Sequence, residues 1–198
     1  MSGITELLAM KLGISCLGAC CGACSCAGVK DLYKATHEGL LLPKGCLKTS
    51  VKNNLTSDTI LFVDLDAEYS QVKDMDNAKL DSSSSLYLTR MYNDINKIVD
   101  EISEMNEVSN KLKTIVFISS DYKLLKFCGC NSSGIDYMIP TDSLHTELMK
   151  NDGWNEVEYQ KLRTDLLARK SSKIQTFSNL QDLLSQIIAI YSDAKIKV

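Results

Sequence analysis

The chain has 198 residues, 44% apolar and 24% charged, with a formal net charge of −3, enough to bury a sizeable core in one or two domains. The acidic balance excludes the basic face that a nucleic-acid binder needs to release phosphate counterions, so no nucleic-acid partner is expected. Eight cysteines would suggest a disulfide framework if spread out, but five of them fall between Cys16 and Cys26, which makes them a local feature.

Residues 12–29, LGISCLGACCGACSCAGV, form eighteen positions without a charge, bounded by Lys11 and Lys30. As a helix the stretch would span about 27 Å at roughly 1.5 Å per residue, just short of the roughly 30 Å hydrocarbon core of a bilayer. Gly18 and Gly22 form a G-x-x-x-G pair, with Ala19, Ala23 and Ala27 at the same interval, a pattern that lets helix backbones approach closely in lipid. Residues 1–30 are therefore expected to be an anchor that holds a membrane or the neighbouring proteins of an assembly. Cys16, Cys20, Cys21, Cys24 and Cys26 are its candidate sites of palmitoylation or membrane contact. Two alternatives stay open. Cys21-x2-Cys24 and Cys24-x-Cys26 have metal-ligand spacing, though no second C-x2-C pair or histidine follows at the usual distance. The cysteines also pack well as small hydrophobes. A cleaved signal peptide fits poorly, since Glu6 and Lys11 interrupt the approach to the run.

Residues 31–57 carry scattered charges, Pro43, Gly39 and Gly45, and read as a linker with one short helix around Asp31 to His37. The folded domain is expected over 58–198. Its first strand is Thr59 to Leu65, a short apolar run rich in β-formers. Met91, Ile95, Ile98, Val99, Ile102 and Met105 follow helical spacing and place an amphipathic helix over Ser85 to Glu107. A second strand follows over Thr114 to Ser119, then a short helix capped by Ser120 or Asp121 and ending near Gly129. Ile135 to Ile139 gives a third strand, and Thr141 or Asp142 opens a helix to about Lys150. Asn155 with Glu158 reads as a capping box opening a helix to about Arg169, Lys173 to Phe177 as a fourth strand, and Ser178 with Gln181 as the capping box of a last helix. Alternating strands and helices imply a Rossmann-like, three-layer α/β domain with a largely parallel sheet of four or five strands.

Ligands of open parallel sheets bind beyond the carboxyl ends of the strands. Those positions hold Asp64, Asp66 and Glu68 after the first strand, Ser119, Ser120 and Asp121 after the second, and Thr141 and Asp142 after the third. The strand ending in Asp64-Leu65-Asp66 and the strand ending in Ser119 or Ser120 resemble the first two motifs of the haloacid-dehalogenase-like phosphotransferases. The resemblance implies Asp64 as nucleophile, Asp66 as general acid, Ser119 or Ser120 as a phosphate contact, and Mg²⁺ held by Asp64 and Asp66. The sequence departs from that family at Ala67-Glu68-Tyr69 and has no later acidic pair, only Asp142; Lys123 and Lys126 are its candidates for the family's lysine.

The back half, through the helix bearing Arg163 and Arg169, resembles a nucleotide kinase. Yet no G-x-x-x-x-G-K-[ST] is present, and the acidic mouth Asp64 to Glu68 would repel phosphates where a cradle of backbone N–H groups is required, so an active kinase is not expected. The reading preferred on sequence is thus a non-catalytic structural or scaffold protein, intracellular and membrane-associated or virion-bound, of which a minor capsid-associated protein is one version. It needs no cofactor. The alternative is a Mg²⁺-dependent phosphatase or phosphotransferase using Asp64, Asp66 and Ser119.

Overall fold

The computed structural model describes residues 35–68, 85–109, 111–152 and 174–197, with isolated helical positions between 157 and 164. In chain order the elements are β1 (Thr36–Leu41), α1 (Lys48–Asn54), β2 (Leu55–Thr56), β3 (Ile60–Asp64), α2 (Ser85–Ser109), β4 (Thr114–Ser119), α3 (Tyr122–Phe127), β5 (Ile135–Pro140), α4 (Asp142–Asp152), β6 (Ile174–Phe177), α5 (Leu180–Ile190) and β7 (Lys195–Ile196). β3, β4, β1, β5 and β6 lie side by side in that order, and every pairing among them is parallel. β2 and β7 form a separate antiparallel ladder, with Leu55 opposite Ile196.

A parallel sheet is covered on both faces, which is why β3 and β4 are near-continuous apolar runs. The period of two sorts them. Leu41, Leu61, Val63, Ile115, Phe117, Ile135 and Ile139 face a first core with Ile95, Ile98 and Ile102 of α2 and Leu124 and Leu125 of α3. Leu40, Phe62, Val116, Ile118 and Met138 face a second core with Val51 of α1 and Leu183, Leu184 and Ile187 of α5. Leu144 and Leu148 of α4 pack on this second core. The expected three-layer α/β class is the one observed.

One boundary needs correction. Residues 31–57 were expected to be a linker with a helix over Asp31 to His37, yet Thr36–Leu41 is the central strand of the sheet and Lys48–Asn54 a helix packed on it. The strand was disguised by its own packing. Its first three residues sit at the less buried amino edge, so they carry charge and polarity. Gly39 is required because a Cβ there would lie 2.9 Å from Cγ1 of Ile135 and 3.2 Å from Cδ1 of Leu125. The last helix also starts one residue later than expected: Asn179, not Ser178, is the cap and accepts from the backbone N–H of Asp182 at 2.9 Å. Most of the helix expected over Asn155 to Arg169, and all of the anchor at 1–30 with Cys16, Cys20, Cys21, Cys24 and Cys26, lies outside the described residues. Among the described residues no helix is long and apolar enough to cross a membrane.

Candidate functional site

The chain leaves β1 toward α1 on one face of the sheet and leaves the neighbouring strand β4 toward α3 on the other. Diverging connections at the carboxyl ends of two neighbouring strands mark the usual ligand position in open α/β sheets. There Leu42 N–H donates to the Ser119 carbonyl at 3.1 Å.

The loop from β1 into α1 is built around a tight turn. Cys46 N–H donates to the Pro43 carbonyl at 3.1 Å, and Gly45 at the third turn position has φ 70°, the left-handed conformation a type II turn demands. Leu47 is also left-handed, φ 61° and ψ 17°, and caps α1 without a side-chain hydrogen bond. A left-handed residue with a Cβ costs about 1–2 kcal/mol, and strain of this kind clusters at functional sites.

Lys48 and Thr49 open the helix. The Lys48 ammonium folds back to donate to the Pro43 carbonyl at 3.2 Å and pairs with Asp66 at 3.0 Å. Thr49 Oγ1 donates to Asp64 Oδ2 at 2.9 Å, and the other Asp64 oxygen accepts from Ala67 N–H at 3.1 Å. Asp66 is held by two hydroxyls, Ser119 and Ser120, each at 3.0 Å. Ser119 also accepts from Asp121 N–H at 3.0 Å. One turn along α1, Lys52 pairs with buried Glu68.

Asp64, Asp66, Ser119 and Ser120, chosen from sequence, therefore converge. Asp142 does not join them; it pairs with Arg163. Lys123 and Lys126 are exposed on α3, while the cations that reach the carboxylates are Lys48 and Lys52. Sequence reasoning missed both lysines because they lay in the supposed linker. A signal was present: counted from Leu42, the stretch Leu42 to Thr49 has the spacing of G-x-x-x-x-G-K-[ST] with leucine at both glycine positions. The repulsion expected from Asp64 and Asp66 is also tempered, since each carboxylate is bonded to a side chain of α1.

Among the described residues no cluster of three or more His, Cys, Asp and Glu side chains is arranged to hold a metal ion. The donors present still suit Mg²⁺, which usually takes one or two carboxylates together with phosphate oxygens and water. Thr49 and Asp64 are the oxygen pair that would contact it. The opposite, amino edge of the sheet carries a cleft of about 660 Å³ lined by Thr36, His37, Glu38, Phe127 and Gly129 among others. There His37 Nδ1 donates to the Cys128 carbonyl at 2.8 Å.

No family model matches the chain, and no curated protein matches it. Among solved structures it is similar to the tunicamycin resistance protein of Deinococcus radiodurans, at 12% identity and a TM-score of 0.48 over 83% of this chain and 99% of that one.

Proposed function

We propose that the domain binds a phosphorylated ligand, most simply a nucleoside triphosphate with Mg²⁺, at the loop between β1 and α1, and that it belongs functionally with phosphoryl-transfer proteins. The observation that carries this reading is the arrangement of Lys48 and Thr49 at the start of the helix that follows the central strand, in contact with Asp66 and Asp64. In phosphate-binding loops a lysine at this place contacts the terminal phosphates and the next hydroxyl meets Mg²⁺. Lys48 would bind the phosphate and Thr49 with Asp64 the cation, whose contribution is to neutralise charge on the phosphate oxygens. This keeps the Mg²⁺-dependent phosphotransferase that stood as the alternative on sequence, in place of the preferred scaffold, but changes the part played by Asp64. Both its oxygens already accept hydrogen bonds and its side chain is buried, a setting that suits a cation ligand better than a nucleophile.

Calorimetric titration of the full chain with ATP and Mg²⁺ tests the reading. Lys48→Met is expected to weaken binding by at least about tenfold, roughly 1.4 kcal/mol. Absence of binding for ATP, ADP and pyrophosphate at millimolar concentration would reject it.

A second reading is a structural module without turnover, tethered to a membrane or assembly by Cys16, Cys20, Cys21, Cys24 and Cys26, as in a capsid-associated protein. Leucine at positions 42 and 47, where a phosphate-binding loop carries glycine, favours the absence of turnover in this reading. Fractionation with and without hydroxylamine tests the tether: protein that stays soluble in both conditions counts against it.

A further inference from the structure

We infer that Asp66 is an internal counter-anion that pairs with Lys48, so that a phosphate reaches the lysine only by displacing this carboxylate. The inference rests on the phosphate-binding reading and adds its regulation.

The geometry is that of a held competitor. Asp66 Oδ2 sits 3.0 Å from the Lys48 ammonium, the distance a phosphate oxygen would take. The carboxylate is pinned there, since Ser119 donates to Oδ1 and Ser120 to Oδ2. Lys48 is 7% exposed and Asp66 33%, so the pair is partly shielded from water and salt, and its attraction exceeds that of an open surface pair. The surrounding charge acts in the same direction. Lys48 and Lys52 stand against Asp64, Asp66 and Glu68, and these five side chains sum to one negative charge. An anion entering alone meets that field and a lysine already engaged. A divalent cation reverses the local sign and offers Asp64 and Asp66 another partner. The ligand class that follows is a metal–phosphate chelate rather than a free phosphate.

The test is calorimetric binding of ATP to the full chain, in EDTA and again with Mg²⁺. The wild type is expected to bind metal-free ATP at least tenfold more weakly than the Mg²⁺ chelate. Asp66→Asn, which keeps the shape but removes the charge and one of the two oxygens that accept from Ser119 and Ser120, is expected to tighten metal-free ATP by about tenfold or more. Ser120→Ala, which removes one hydroxyl holding the carboxylate, gives a smaller gain in the same direction and keeps the test decisive if Asp66→Asn does not fold. Asp121→Asn changes the neighbouring charge by the same unit without contact to Lys48, and is expected to give little gain. Metal-free affinity that is unchanged or weaker in Asp66→Asn, or a gain equal to that of Asp121→Asn, overturns the competitor while leaving Mg²⁺–ATP binding by the wild type intact. If no protein in the set binds ATP under either condition, the phosphate site itself is rejected, and the competitor with it.

Discussion

Replacing Gly39 by alanine isolates how tightly the central strand is wedged between its neighbours. The added Cβ would lie 2.9 Å from Ile135 Cγ1 and 3.2 Å from Leu125 Cδ1, both on fully or nearly fully buried side chains of the first core. β1 is hydrogen-bonded to β4 on one side and β5 on the other, so its backbone cannot retreat, and α3 must shift instead. Overpacking of this kind costs about 1–3 kcal/mol, and the lower entropy of the unfolded alanine chain returns about 0.4–1 kcal/mol. The net loss is therefore between about 0 and 2.6 kcal/mol, a fall in Tm of up to about 10 °C for a chain of this length. Gly134→Ala is the matched control. Its nearest neighbour would be Glu38 Cγ at 3.7 Å, ordinary contact, so the entropy gain should dominate and Tm should hold or rise slightly. Differential scanning calorimetry of both variants gives the answer. Equal shifts in the two, or a rise in Gly39→Ala, would refute the register and packing described for β1.

Two further outcomes are expected. Burial pushes the Cys46, Cys128 and Cys130 thiols up from 9.0 to about 12; below pH 9 they are neutral in both states, and between pH 9 and 12 only the unfolded chain ionises. Stability is then present in full below pH 9 and falls by about 1.4 kcal/mol per thiol per pH unit above it, which a series of thermal melts from pH 7 to 11 will show as a flat region followed by a steep decline. Asn179→Ala removes the side-chain cap of α5 and should cost about 1 kcal/mol, measurable as a shift in the urea midpoint with an unchanged slope.

The elements that sequence predicted well are those whose period was uninterrupted: β3, β4, β5, α2 and α5 each present buried apolar side chains at the spacing their geometry requires. β1 was hidden by a property of the sheet. Its amino half lies at an edge and its middle residue must be glycine, so neither alternation nor a long apolar run survives. The ladder between Leu55–Thr56 and Lys195–Ile196 was equally silent, since two-residue strands paired across the chain leave no local pattern. The site divided in the same way. Asp64, Asp66 and Ser119 were legible because they follow readable strands. Lys48 and Thr49 were not, because a glycine-based motif fails once leucine takes the left-handed position and the resulting strain is met by tertiary packing.

That ladder couples distant parts of the molecule. Lys197 N–H donates to the Asn54 carbonyl at 2.8 Å, so the residues that close the fold grip the far end of the helix whose near end presents Lys48. Loosening residues 195–197, by deletion or by a rigid fusion placed directly after them, should let that helix fray and drag the ammonium out of register, degrading ligand capture from a position the ligand never touches.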